Sequence, residues 1–170
     1  HLHGSLVKQA LLAGKHVYSA VPMATHIETC QEIIELVKQT GLVYMMGETC
    51  YYYPCAEFCR QKYRDGTFGT FVYGEAQYYH DLSHFPKTYF ANKQAVGVPP
   101  LFYSTHSISM VLSAAHSHVK KVVAFGYRDR EPDGYYAEGA NEWNNPFSNE
   151  YALMQLANGG TIRINECRRI

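Results

Sequence analysis

The chain has 170 residues, of which 46% are hydrophobic and 18% charged, and fifteen basic and fifteen acidic side chains cancel to a formal net charge of zero. A chain of this length buries about 70% of its unfolded surface, which supports a real core and rules out the compositions of disordered chains and coiled coils. No basic stripe points to nucleic acid, and no apolar run reaches the roughly 18 residues of a membrane span, so neither partner is expected.

Residues 5–13 read as a helix with Leu6, Ala10 and Ala13 inward, closed by Gly14 at the C-terminal cap. Residues 16–19 form a short strand candidate. Thr25 and Glu28 have capping-box spacing, and Ile27, Cys30, Ile34 and Val37 then recur at helical intervals to Thr40. Gly41 stops that helix, and residues 42–46 read as a buried strand. Connections this short make packed α/β units with parallel strands.

The pattern changes between Gly47 and Tyr53. Residues 54–63 are helical, and Asp65-Gly66 with Gly69 marks a turn. Residues 70–79 alternate as a strand. Residues 83–100 carry three prolines and read as loop. A short apolar helix follows at 107–115, a strand at 119–128 and a long loop at 129–148. Residues 151–156, Asn158-Gly159-Gly160 and residues 161–168 form a hairpin. The second part is therefore α+β with an open, mostly antiparallel sheet. The expected division is residues 1–50 for an α/β unit and 51–170 for the α+β unit. The chain opens at His1 and stops inside a strand pattern, as expected for an internal piece of a longer protein.

Five cysteines, Cys30, Cys50, Cys55, Cys59 and Cys167, fit reduced thiols in a cytoplasmic setting. Cys50, Cys55 and Cys59 lack CxxC spacing, so no metal site is expected and they read as small buried apolar residues. In open α/β sheets ligands bind beyond the carboxyl ends of the strands, here residues 18–22 and 46–53. No G-x-G-x-x-G occurs, so the phosphate-binding turn is not within these residues.

A set of motifs spans nearly the whole chain. It comprises His3, Ala10-Leu11-Leu12-Ala13-Gly14-Lys15-His16-Val17, Pro22-Met23-Ala24, Gly41, Met46-Gly47-Glu48 and Tyr52-Tyr53-Pro54. Gly66-Thr67-Phe68-Gly69, Tyr79-His80-Asp81 and His106 at a helix head continue it. Together these resemble the glucose–fructose oxidoreductase, inositol dehydrogenase and rhizopine-catabolism (Gfo/Idh/MocA) family. The resemblance implies the C-terminal half of a Rossmann domain followed by part of an α+β domain. It implies NAD or NADP as cofactor, hydride transfer at a sugar-like hydroxyl, and a homo-oligomer. His106 would be the acid/base. His3, Ala20, Val21, Pro22, Glu48 and Thr49 would border the cofactor, with Tyr52, His80, Asp81 and Tyr103 near the substrate.

The chain departs from the family at several positions. Ala20-Val21-Pro22 stands where Glu-Lys-Pro is usual, so an aliphatic Val21 replaces the lysine. Phe102 and Ser109 occupy positions that are commonly Asp, and Tyr51 one that is often Arg. Family members with Val at the lysine position include NAD-dependent glycosidases, which oxidise a sugar transiently and eliminate the aglycone. A non-catalytic sugar or nucleotide sensor is a third reading.

Each residue also has a bland reading. His106 fits a helix-capping histidine, and His3 a polar strand-end cap. His80, Asp81 and His84 fit a solvated strand end as well as hydroxyl recognition. The fifteen tyrosines fit sugar stacking or ordinary sheet packing. Trp143 sits in the long loop, lining a pocket or a subunit contact.

Overall fold

A computed structural model of the chain describes residues 1–170, the side chain of Lys87 aside. The chain divides into two compact units, His1–Glu48 and Thr49–Ile170.

In the first unit, α1 (His3–Leu12) and α2 (Ile27–Thr40) alternate with β1 (Val17–Ala20) and β2 (Tyr44–Gly47). The strands pair parallel, from Val17 opposite Tyr44 to Ala20 opposite Gly47. Val7, Leu11 and Ile33 form the core, with Val17, Leu36 and Val37 packed around it. Burying each such aliphatic side chain contributes about 1.5–3 kcal/mol. The helix phases differ from the sequence expectation. α1 buries Gly4, Val7 and Leu11, whereas Leu6 is exposed. Gly4 sets this phase: a methyl group there would lie 2.5 Å from Thr29 Cγ2, so only a bare backbone lets α1 approach α2. α2 buries Ile33, and Ile27 and Ile34 are exposed. No capping box forms, because α2 starts after His26 and that end carries no side-chain cap. At its other end Gly41 takes φ 67° and donates its N–H to Val37 O. β2 alternates instead of being buried throughout, with Met45 exposed, as is Val43 just before the strand.

The second unit contains α3 (Pro54–Arg64), β3 (Tyr73–Tyr79), α4 (Lys87–Phe90), α5 (Thr105–Ala115), β4 (Val119–Arg128), β5 (Phe147–Leu156) and β6 (Thr161–Cys167). Short 3-10 turns occur at Thr49–Tyr52, Leu82–His84 and Pro100–Tyr103. The sheet order is β3-β6-β5-β4, with β4–β5 and β5–β6 antiparallel and β3–β6 parallel. The sheet is thus open and mixed. Its inner face carries Ala152, Met154, Leu156, Ile162 and Ile164, which meet Phe71 and Ala115 in one core. The β5–β6 turn uses Gly159 at φ 88°, and Asn158 Oδ1 accepts the Gly160 N–H at 3.1 Å. α3 buries Ala56 and Arg60 and leaves Phe58 exposed. Of the cysteines, Cys50 and Cys167 are buried, but Cys55 is exposed at the first turn of α3.

The long loop between β4 and β5 is ordered by asparagine. Buried Asn145 donates Nδ2 to Gly97 O (3.1 Å) and Phe147 O (2.8 Å) and accepts the Phe147 N–H (2.9 Å). Asn141 Oδ1 accepts the Asn145 N–H at 3.1 Å. Trp143 packs on Phe102 at 5.2 Å and donates Nε1 to Gln94 O at 2.9 Å. Among the described residues no helix is long and apolar enough to cross a membrane.

Candidate functional site

The second unit gathers a cluster of rings around the head of α5. Pro99 and Pro100 open the 3-10 turn that leads into the helix, and Glu150 Oε2 fixes that turn by accepting the Leu101 N–H at 2.7 Å. His106 is the second residue of α5 and is half-buried. Its ring lies 5.3 Å from Tyr78, on the inner face of β3, and 5.4 Å from Tyr103. The Tyr78 hydroxyl and His80 Nδ1 stand 3.2 Å apart, and the His80 ring packs at a tilt against Phe85 at 4.4 Å. The aromatic run continues from Phe85 to Tyr89 at 4.5 Å. A histidine set among aromatic faces at a helix head has the make-up of a proton-transfer site that also stacks on C–H surfaces.

Electrostatics reinforce that character. Burial lowers the His80 pKa below its ordinary value, and the Arg168 cation and His106 add to the effect. His80 is therefore disposed to the neutral ring. Burial raises the Tyr78 pKa, keeping its hydroxyl protonated as a donor. The Arg168 guanidinium lies 5.6 Å from the Tyr78 ring centre and 3.5 Å from Glu166 Oε2. Glu166 is fully buried, and burial raises its pKa from 4.5 to about 7. Its other oxygen is in hydrogen-bond contact with the Ser107 hydroxyl.

The remaining expected substrate residues have other neighbours. The Asp81 carboxylate accepts the Ser83 N–H (3.1 Å) and the Ser83 hydroxyl (2.5 Å), capping the 3-10 turn, and lies 3.9 Å from His84 Nε2. Tyr52 is exposed and packs edge-on to Tyr51 at 5.0 Å. Tyr51 lies under the buried Arg60 guanidinium, which donates to the Tyr51 carbonyl and so anchors the Thr49–Tyr52 turn. Thr49 opens that turn and is exposed.

In the first unit the carboxyl ends of β1 and β2 form one edge. Ala20 ends β1, the Val21–Pro22 bond is cis, and Val21 is buried. His3 Nδ1 lies 2.7 Å from Pro22 O, tying the head of α1 to the turn after β1. Glu48, directly after β2, is buried, and its N–H donates to Met46 O at 3.0 Å. A dinucleotide fits the carboxyl edge of a parallel sheet. The apolar turn and the fixed His3 ring suit its nicotinamide end, and no G-x-G-x-x-G run occurs within these residues.

Sequence reasoning missed Glu166 and Arg168. The signal was present: Ile162, Ile164 and Glu166 share the two-residue period of β6, so the acid falls on the core face.

Residues 1–48 match the model of an oxidoreductase family with an NAD-binding Rossmann fold. A glycosyl hydrolase family 109 protein of Phocaeicola vulgatus is 38% identical over 89 residues, which is 51% of this chain and 16% of that protein. A family 109 protein of a Shewanella species (strain ANA-3) is 36% identical over 80 residues, 47% of this chain and 18% of the relative. Among solved structures, myo-inositol 2-dehydrogenase of Lactobacillus plantarum matches 99% of this chain with a TM-score of 0.82 at 15% identity. Scyllo-inositol dehydrogenase of Lactobacillus casei, solved with NAD(H) and scyllo-inositol, matches 99% with a TM-score of 0.78 at 20% identity. Aldose-aldose oxidoreductase of Caulobacter crescentus, solved with glycerol, matches 99% with a TM-score of 0.82 at 19% identity. The chain spans 48% of each of these three solved chains.

Proposed function

We propose, from the premise that residues 1–48 belong to the Gfo/Idh/MocA oxidoreductase family, that the protein bearing this chain is an NAD(P)-dependent oxidoreductase acting on a hydroxyl of a sugar-like substrate. The observation that carries the reading is His106 at the head of α5, ringed by Tyr78 and Tyr103 with His80 beside Tyr78. The first unit is assigned to the nicotinamide end of the cofactor, with His3, Ala20, Val21, Pro22 and Glu48 as the lining and Thr49 nearby. The cofactor supplies a hydride acceptor or donor.

The chain's own groups handle the proton and the substrate. In the oxidative direction His106 accepts the hydroxyl proton as hydride leaves the carbinol carbon, and in reduction it returns it. Tyr103, Tyr78 and Tyr52 offer faces for sugar C–H surfaces and hydroxyls for hydrogen bonds. His80, held neutral, accepts or donates one hydrogen bond, and Asp81 orders the turn that follows it. Val21 donates nothing, so charge developing on the substrate oxygen falls to neutral donors.

A second reading is favoured by the family 109 relatives and by Val21. In it the sugar is oxidised transiently, the aglycone is eliminated and the hydride returns, so no reduced cofactor accumulates. We also assign the outer sheet face to a second copy of the chain. Val123, Phe125 and Tyr127 on β4 and Tyr151 and Leu153 on β5 share that face by register and are exposed. A cytoplasmic setting fits the free thiols.

The test uses the full-length protein with NAD, free sugars and aryl glycosides, following reduced nicotinamide and aglycone together. Net reduced cofactor supports the dehydrogenase, and NAD-dependent aglycone release without it supports the second reading. His106→Ala is expected to cost on the order of a hundredfold or more in turnover. Near-normal turnover in that variant removes the assignment.

A further inference from the structure

Ser107 stands next to His106 in the first turn of α5 and is fully buried. Its hydroxyl meets two acceptors, Ser104 O at 3.1 Å and Glu166 Oε1. A hydroxyl carries one proton, and shared between two acceptors it makes two weakened bonds rather than two full ones. Both contacts become full hydrogen bonds when Glu166 carries a proton of its own. Then Glu166 donates to Ser107 Oγ, and Ser107 donates to Ser104 O. An ionised Glu166 would take the Ser107 proton and leave Ser104 O with the Ile108 N–H alone.

The surroundings suit a neutral acid. Glu166 Oε2 accepts no hydrogen bond among the described residues, and the nearest cation, Arg168 Nη1, is 3.5 Å away. Arg168 is itself turned to backbone carbonyls, Cys167 O at 3.3 Å and Pro100 O at 3.5 Å. The other ionisable groups acting on Glu166 or feeling its charge are Glu150 on β5, Tyr78 on β3 and Cys167 on β6. Burial raises the pKa of each of these, which works against a second negative charge beside Glu166.

We propose that Glu166 is a proton-holding positioning residue, which through Ser107 and Ser104 sets the first turn of α5 and with it the direction of the His106 ring. This rests on the reading of His106 as the proton-transfer group. Glu166 is fully buried and is assigned no contact with substrate or cofactor. Its proton fixes which way the Ser107 hydroxyl points, and Arg168 links the same carboxyl to the face of Tyr78.

The experiment compares full-length wild type with Glu166→Gln and Ser107→Ala. The Gln amide donates to Ser107 as a protonated acid does, but cannot ionise. In infrared difference spectra across pH about 5 to about 9, wild type is expected to show a neutral-carboxyl band that persists to near neutrality and is missing in Glu166→Gln. In turnover, wild type is expected to lose rate as Glu166 ionises, with kcat moving and KM held. Glu166→Gln is expected to keep its low-pH rate within a few-fold and lack that falling limb, and Ser107→Ala to lack it too. An absent band, a band that survives in the Gln variant, or superimposable pH–rate profiles would overturn the proposal. Should Glu166→Gln fail to fold, the wild-type band and the Ser107→Ala profile still decide it. Full turnover in His106→Ala sinks the functional reading alone, since the infrared result does not depend on His106.

Discussion

Replacing Glu166 by Gln should change how stability depends on pH, with a size that follows from burial. The carboxyl is fully buried, and its pKa is raised from 4.5 to about 7. Below about 4.5 the group is protonated in both folded and unfolded chains and contributes nothing to a pH slope. Between about 4.5 and about 7 the folded chain holds a proton that the unfolded chain has released, so stability falls as pH rises. Above about 7 both forms are ionised and the full penalty stands. A shift of about 2.5 units at 1.36 kcal/mol each is about 3 kcal/mol. The amide of the Gln variant carries no such penalty. The stability of Glu166→Gln minus that of wild type should therefore climb by about 3 kcal/mol from pH 4 to pH 8. Urea unfolding followed by circular dichroism at a series of pH values measures it directly. A difference that stays flat within about 1 kcal/mol would refute the reasoning.

Further outcomes follow from packing and from histidine chemistry. A methyl group at Gly160 would lie 2.6 Å from Phe71 Cδ1 and 3.1 Å from Phe71 O, so Gly160→Ala should cost about 1–3 kcal/mol in thermal unfolding. Asn145→Ala strips three hydrogen bonds from buried backbone and should cost about 3 kcal/mol or more, read by the same melt. The His80 ring should titrate below about 6.5 in an NMR pH series, and a midpoint above that value would contradict the partial desolvation and the Arg168 charge that lower it.

Much of the architecture was legible because periodicity reports it directly. Strand β4 occupies the residues whose alternation marks it, and the β5–β6 turn falls on Asn158-Gly159-Gly160. Which face each helix buries was less legible. In α1 the choice between Leu6 and Val7 turned on Gly4, whose meaning lies in Thr29 across the helix pair. The parallel β3–β6 pairing was hidden for a related reason, since local pattern carries no record of a partner far along the chain. The family resemblance rested on short motifs and singled out His106, Tyr103 and His80, which the fold gathers around Tyr78. It said nothing of Glu166 or Arg168. Those two show as an acid and a base within an apolar period, and burial and partners give them meaning.

The placement of β6 between β3 and β5 also bears on the order in which the second unit assembles. The β5–β6 turn closes only a few residues, whereas Tyr73 and its partner Thr161 are about 88 residues apart, which costs about 2 kcal/mol more in chain entropy. The hairpin therefore has reason to form first and then capture β3. On a ribosome, Phe71 and the inner face of α5 emerge well before Ile162 and Ile164, the β6 residues that complete their core. Until then the apolar side of this unit is a surface for chaperones, and any nascent chain arrested before Thr161 would keep it exposed.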